Sequence, residues 1–373
     1  MTPRPIVIAG GGTAGHVMPA LAVAHELVAR GHAPERIHFV GSRRGLEARL
    51  VPEAGFAVTL LPGRGVVRRV SWRAVAAAAG IVAATAQAVV LLARRRPAVV
   101  LSVGGYAAAP CALAALVLGV PLVVAEANAV PGATNRLAAR WARASAAAFE
   151  GTGLPRAVVT GTPVRDEVLA ASRDPAARAA ARHLLGLPDG RRIVAVTGGS
   201  LGARRVNEAV LDLVERWAQR DDVAIHHAFG SRDWVELGDR ARGAVGGALC
   251  YQLVEYESRV PLLLSAADVW VGRAGGTTMA ELTAVGVPSI LVPLPIAPHD
   301  HQAVGARRLA AAGACVVVPD AECTGDVLDR ELSRLLDVPG VLTVMAAAAG
   351  GAGHRDAATR VAELLERHAR GLG

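Results

Sequence analysis

Short apolar runs rich in Val and Ile alternate along this chain with longer segments whose apolar positions recur every three or four residues. In the first half the runs lie at 6–9, 37–40, 99–101 and 122–125, with helical patterns at 19–30 and 134–142. In the second half they lie at 193–196, 224–229, 269–271, 289–292 and 315–318, with helical patterns at 206–218, 277–284 and 302–312. Runs this short and this uniformly apolar read as parallel strands buried on both faces, and their alternation with helices predicts an α/β fold. The order also repeats. Ile6-Val7-Ile8-Ala9-Gly10-Gly11-Gly12-Thr13-Ala14-Gly15 aligns without a gap to Ile193-Val194-Ala195-Val196-Thr197-Gly198-Gly199-Ser200-Leu201-Gly202, half the chain later. Each copy is a strand, a glycine turn and a helical pattern, which is how a doubly wound domain begins. Two such starts predict two Rossmann-like domains in tandem. The expected boundary falls at Gly161-Thr162-Pro163, giving domains 1–162 and 163–344. Glycines at 350–353 interrupt the last helical segment, so 345–373 is expected to rejoin the first domain.

One stretch breaks this pattern. Residues 74–93 are almost free of polar side chains and are flanked by Arg68, Arg69, Trp72 and Arg73 before and by Arg94, Arg95 and Arg96 after. A membrane span needs about 20 strongly apolar residues, and this run is long enough but mostly alanine. A core helix of the first domain is the leading reading. A helix lying at a headgroup layer comes next, because Trp72 and the arginines suit it. A span comes last, since it would leave the upstream strands without a sheet.

Composition narrows the partners. The 373 residues suit two domains. The 40 cations are all arginine, so lysine chemistry, whether a Schiff base or a P-loop lysine, is excluded. The net charge of +8 suits an anionic partner, whether phosphates, nucleic acid or an anionic membrane face. Aromatics are only 3%, which argues against stacking platforms and hence against single-strand nucleic-acid binding, and no nucleic-acid partner is expected. Cys111, Cys250, Cys315 and Cys323 form no CxxC pair, so neither a disulfide framework nor zinc is expected and a reduced, cytosolic setting is. The first residues lack a charged segment followed by a long apolar one, so no signal peptide is expected.

Candidate chemistry gathers at the turns that follow strands. The loop Gly10–Gly15 satisfies GxGxxG, whose backbone N–H groups and helix start attract a diphosphate. A dinucleotide would need an acid after the second strand, and Val40-Gly41-Ser42-Arg43 supplies none, so NAD is disfavoured. His16 follows the loop directly, where a neutral imidazole can take a proton from a hydroxyl nucleophile. Glu126 and Asn128 follow another strand, and Glu126 is the competing base. Gly104-Gly105-Tyr106 and Gly198-Gly199-Ser200 are further glycine turns. The richest is Arg273-Ala274-Gly275-Gly276-Thr277-Thr278, where glycines admit a phosphate and Glu281, about one turn on, can accept hydrogen bonds from a ribose diol. His299, Asp300 and His301 lack a third ligand at a recognised spacing, so they read as a helix start and no metal site is expected.

Taken in order, Gly11-Gly12-Thr13-Ala14-Gly15-His16, Gly104-Gly105-Tyr106, Glu126-Ala127-Asn128-Ala129, Gly161-Thr162-Pro163-Val164-Arg165, Gly198–Arg204, the run from Gly275 to Glu281 and Asp300-His301-Gln302 resemble the MurG family of peptidoglycan N-acetylglucosaminyltransferases. The resemblance covers nearly the whole chain. It implies a GT-B fold, two Rossmann-like doubly wound domains facing a cleft. It implies inverting transfer of N-acetylglucosamine from UDP-N-acetylglucosamine to the 4-hydroxyl of undecaprenyl-pyrophosphoryl-MurNAc-pentapeptide. The enzyme would work without cofactor or metal, peripherally, at the cytoplasmic face of the cell membrane.

The resemblance also implies residue roles. His16 is the base, and Gly11, Gly12, Gly104, Gly105 and Tyr106 serve the acceptor pyrophosphate. The donor contacts are Thr13, Ala14, Gly15, Asn128, Arg165, Ser200, Glu257, the run Gly276, Thr277, Thr278, Met279, Ala280 and Glu281, and Gln302. Trp72 with Arg68, Arg69, Arg73, Arg94, Arg95 and Arg96 docks the anionic membrane surface. Three positions depart from the family pattern: Ala125 stands where a histidine is usual, Glu257-Ser258-Arg259 where isoleucine precedes two acids, and Gly305 where asparagine is usual. Rival readings are another GT-B transferase acting on a lipid or secondary metabolite, a non-catalytic nucleotide-sugar scaffold, and a nucleotide-sugar epimerase.

Overall fold

The computed structural model describes residues 4–62, 72–244 and 246–371, with side chains of the helix that starts at Trp72 described from Gly80 onward. The chain forms two compact units. The first runs to Arg165 and takes in the residues from His354 onward; the second is Asp166–Gly353.

In the first unit the strands β1 (Ile6–Gly10), β2 (Ile37–Ser42), β3 (Ala57–Leu61), β4 (Val99–Gly104), β5 (Leu122–Glu126), β6 (Ala144–Ala147) and β7 (Ala157–Val159) pair in parallel in the order β3-β2-β1-β4-β5-β6-β7. Alternate side chains enter opposite cores, as the two-residue period of a strand requires. Ile6, Ile8, Val99, Leu101 and Val123 pack with Val361 and Leu365 of the C-terminal helix Ala357–His368. Val7, Ala9, Val100, Leu122 and Val124 pack on the other face with Ala84, Ala88 and Leu92 of the helix Trp72–Arg95. Both faces are therefore covered, which is why these strands read as unbroken apolar runs. The long apolar stretch is a core helix on its inner side, while Val82 and Val90 remain exposed on its outer side. Among the described residues no single helix is long and apolar enough to cross a membrane.

The second unit repeats the plan. The strands β8 (Arg192–Thr197), β9 (Val223–Ala228), β10 (Cys250–Val254), β11 (Val269–Arg273), β12 (Ser289–Val292) and β13 (Cys315–Val317) pair in parallel in the order β10-β9-β8-β11-β12-β13. The helix Val341–Gly351 belongs here, because Met345 is buried in this unit's core with Leu328, Leu332 and Leu335. The return to the first unit thus begins at His354, later than residue 345, and the outward crossing falls after Arg165 rather than at 162. The C-terminal helix is tied back by Glu366, which pairs with Arg30 at 2.6 Å and His32 at 3.0 Å.

Candidate active site

In both sheets the strand order reverses next to the first strand, between β1 and β4 and between β8 and β11. Loops leaving such a pair diverge to opposite faces and open a crevice at the carboxyl edge, where ligands of open α/β sheets bind. All the glycine turns singled out above, except 161–165, leave these four strands.

In the first unit the turns after β1 and β4 lock together. Gly11 N–H donates to Gly104 O at 3.2 Å. A Cβ on Gly105, whose φ is +83°, would stand 2.2 Å from Gly11 O, so only glycine lets the backbones approach this closely. Gly12 N–H donates to Glu47 Oε2 at 2.7 Å. The amides of Gly11 and Gly12 are therefore engaged within the protein, and the ligand-facing part of the loop is Thr13, Ala14 and Gly15, all exposed. Glu47 is the acid after the second strand that the sequence reading did not find. It is buried and turned under the loop, where a ribose cannot reach it. Thr13 precedes the helix Ala14–Ala29 without capping it. Its hydroxyl instead meets His16 Nδ1 at 3.1 Å, which fixes the ring beside Gly104. Tyr106 donates to Pro62 O at 3.3 Å, and burial pushes its phenol above the ordinary value, so it stays a proton donor.

Beside His16 lies a small recess lined by Gly15, Val103, Ala125, Glu126, Ala127 and the turn 161–163. Glu126 is 5% exposed. Its Oε1 accepts from Asn128 N at 3.0 Å and Asn128 Nδ2 at 2.8 Å, and its Oε2 from Gly132 N and Asn135 Nδ2, both at 3.0 Å. Four donors occupy both oxygens. The carboxylate is the hub of the 126–135 loop, poorly placed to take a proton from substrate. Asn135 completes the hub by bonding Ala125 O and accepting from Ser102. Arg165 is half-buried at the end of the first unit's outgoing chain.

In the second unit the turn after β8 rests on a buried network. Gly202 has φ +88°, and a Cβ there would stand 2.7 Å from Asp233 Oδ2. Asp233 accepts from Asn207 at 2.9 Å and pairs with Arg232 at 2.8 Å. Asn207 Oδ1 lies 3.0 Å from His227 Nε2, whose Nδ1 lies 2.9 Å from the Tyr251 hydroxyl. An amide oxygen only accepts, so Nε2 carries the proton and Nδ1 accepts from Tyr251. Ser200 is exposed above this network.

The turn after β11 opens the helix Gly276–Val285, which has neither a side-chain cap nor an acid in its first turn. Such a start attracts an anion. Gly276, Thr277, Thr278, Ala280 and Glu281 are half-buried, but the Met279 side chain turns into the core and offers only backbone. Glu257 is likewise turned inward. Burial alone would push its carboxyl up, but bonds from Arg259 N at 2.7 Å, Nε at 3.1 Å and Nη2 at 3.2 Å, with His226 at 3.2 Å, hold it below the ordinary value. Its neighbour Tyr256 is 64% exposed and went unread in the sequence. Gln302 anchors its helix start by accepting from Leu294 N at 2.9 Å. His301 Nδ1 faces Pro298 O at 2.8 Å and Asp300 pairs with Arg307, so both serve the local turn.

The residues expected to act together thus divide between the units. Thr13, Ala14, Gly15, His16, Gly104, Tyr106, Glu126 and Asn128 share one sheet edge; Ser200, Glu257, Gly276–Glu281 and Gln302 belong to the other unit. Arg68 and Arg69 lie outside the described residues, as do the side chains of Trp72 and Arg73. Arg94, Arg95 and Arg96 are exposed. Asn135, Asn207 and Asp233 were missed because each stands among other polar residues of an ordinary helix, with no motif to set it apart. Glu47 had one signal, three glycines at 11, 41 and 45 that leave room for a side chain.

Two parallel-sheet α/β units with glycine turns at both order reversals define a GT-B-type transferase architecture. The chain belongs to glycosyltransferase family 28: residues 6–147 match the family 28 N-terminal domain and 193–361 the family 28 C-terminal domain. It is 43% identical, over 96% of its length and 95% of the relative's, to a protein of Clavibacter sepedonicus named UDP-N-acetylglucosamine–N-acetylmuramyl-(pentapeptide) pyrophosphoryl-undecaprenol N-acetylglucosamine transferase. A protein of Nocardia farcinica with the same name is 41% identical, over 98% of this chain and 96% of that one. The crystal structure of Acinetobacter baumannii MurG superposes with a TM-score of 0.77 at 28% identity, covering 98% of this chain and 100% of that one.

Proposed function

We propose that this protein transfers N-acetylglucosamine from UDP-N-acetylglucosamine to the 4-hydroxyl of undecaprenyl-pyrophosphoryl-MurNAc-pentapeptide, the step from lipid I to lipid II in peptidoglycan synthesis. The observation that carries this reading is the near-full-length identity to transferases of that name. In the proposed reaction the acceptor oxygen attacks C1 of the donor sugar from the face opposite the diphosphate. The new C1–O bond forms as the bond to the β-phosphate breaks, and UDP leaves with the electron pair, so the anomeric centre inverts. His16 takes the hydroxyl proton. Support for His16 over Glu126 comes from the four hydrogen bonds that occupy Glu126. The uncapped start of Gly276–Val285 and the Arg165 guanidinium offset charge on the leaving diphosphate. Glu281 takes the ribose hydroxyls, and Tyr256 offers a flat face to the base.

The lipid substrate places the work at a membrane surface, read here as peripheral and on the cytoplasmic side, in the service of wall growth, cell shape and division. Support comes from the exposed Val82, Val90, Leu116 and Val117 on two packed helices of the first unit, with Arg94–Arg96 at the end of one of them. The test is a turnover assay with purified protein, labelled UDP-N-acetylglucosamine and synthetic lipid-linked muramyl-pentapeptide. The expected product is the disaccharide-pyrophosphoryl lipid with stoichiometric UDP. Conversion of donor without acceptor, or transfer only to other acceptors, would overturn the reading.

A further inference from the structure

A carboxylate that the proposed reaction does not use lies directly beneath the first glycine loop. Glu47 opens the helix Glu47–Glu53 and is 2% exposed. Its Oε1 accepts from Ser42 N at 2.7 Å and Ser42 Oγ at 3.0 Å; its Oε2 accepts from Gly12 N at 2.7 Å. All three donors are neutral, and among the described residues no cation pairs with it. A Cβ on Gly11, Gly41 or Gly45 would stand 2.3, 2.2 or 2.0 Å from Glu47 atoms. Three separate chain positions have thus given up a side chain to admit this one. A buried, unpaired charge is costly, so the groups it holds must be worth fixing. What it holds is the end of β2 and the amide of Gly12. That amide is one residue from Thr13, whose hydroxyl in turn sets the His16 ring.

We propose that Glu47 is a positioning residue for the transfer step: by drawing the Gly12 amide inward it fixes the loop on which Thr13 and His16 stand. The inference rests on the proposed function for its kinetic part. Its structural part needs no substrate. With the Gly12 amide held from below, the outer side of the loop receives substrate through Thr13–Gly15, and a small shift of that ledge misplaces His16. Misplacement of about 1 Å typically costs on the order of 100-fold in rate.

The experiment joins amide hydrogen exchange to kinetics on the full chain. In the wild type the Gly12 and Ser42 amides should be protected comparably to Val7 and Ile8 within β1, although Gly12 lies in an exposed loop. Glu47→Gln places an N–H₂ against one of these donors. It should strip protection from Gly12 or Ser42, leave Val7 and Ile8 protected, and lower kcat roughly 10- to 100-fold. UDP affinity by calorimetry should stay within about twofold. Glu47→Asp keeps the acceptors and should recover part of the rate. A merely structural role would instead lower protection across the whole first unit, with no recovery in Glu47→Asp. The proposal is overturned if the wild-type Gly12 amide exchanges as an unprotected loop amide, a result that holds even if Glu47→Gln does not fold. It is also overturned if Glu47→Gln keeps kcat within about threefold of wild type. Wild-type protein that makes no disaccharide lipid overturns the proposed function, while the exchange arm still reads the loop.

Discussion

The glycine loops after β1 and β8 align at Gly11 and Gly198, Gly12 and Gly199, and Gly15 and Gly202, but their backbones differ and they rest on different foundations. Under the first lies a single carboxylate, Glu47, bonded only to neutral donors. Under the second lies a chain from Tyr251 through His227 and Asn207 to Asp233, whose charge is balanced by Arg232. Both acids stand at the start of the helix after the second strand, Glu47 after β2 and Asp233 after β9. The repeat therefore extends to the supports, while their charge differs. A lone negative charge beneath a loop repels a diphosphate; a balanced one does not. On that electrostatic ground we propose a division of labour between two copies of one motif: the second loop takes the donor's diphosphate, and the first, through Thr13–Gly15, takes the reacting sugar hydroxyl.

Four measurements break or sharpen this comparison. The largest effect is expected in the first unit: His16→Ala should lower kcat by 10²- to 10⁴-fold, with UDP affinity unchanged. If His16→Ala keeps most of its activity while Glu126→Gln loses it, Glu126 is the base and this division of labour is misplaced. The mirror experiment lies in the second unit. Glu281→Gln should weaken UDP binding about 10- to 100-fold, the equivalent of roughly 1.5–3 kcal/mol for one charged partner, and spare acceptor binding. Unchanged calorimetric affinity would remove Glu281 from the site.

The third concerns acid. Burial pulls His227 down to about 3, helped by His226, and His38 in the first unit down to about 4, helped by Arg95. Both fold as neutral rings, so their contribution is complete above the unfolded value of about 6.5 and is lost as pH falls toward the folded values. Each costs up to about 1.4 kcal/mol per pH unit over that window. Unfolding midpoints should fall between pH 7 and 5 in both units, and the second unit should go on losing stability below pH 4; a midpoint flat over pH 7 to 5 would refute this. The smallest effect is at the membrane. Arg94→Gln with Arg95→Gln should weaken binding to anionic vesicles about fivefold per arginine at low salt, and the difference should fade as salt rises. Salt-independent binding would contradict it.

Much of this was legible in the sequence, for reasons particular residues make plain. The β-branched runs of β1, β4, β8 and β11 announce themselves because both their faces are buried. β6 does not: Ala144-Ser145-Ala146-Ala147 has no strand propensity and is a strand only because β5 and β7 pair with it. The glycine turns and His16 were visible as motifs. What acts from underneath was not, since Glu47, Asn135, Asn207 and Asp233 gain their meaning only from neighbours far away in the chain. Met279 and Glu257 show the converse, since sequence gives their place but not the direction of their side chains.

The C-terminal helix Ala357–His368 has a consequence for the making of the protein. Glu366 pairs with Arg30 across 336 residues, and Val361 and Leu365 cover Ile6, Ile8, Val99 and Leu101. At ribosomal rates of roughly 5–20 residues per second, the partners of that helix wait on the order of twenty seconds to a minute for it to emerge. The second unit, Asp166–Gly353, is one continuous stretch and has all its residues before the first unit does. The half of the molecule begun first is therefore the last able to close. Until it does, an apolar sheet face stays open, and that interval is when a nascent chain most needs a chaperone.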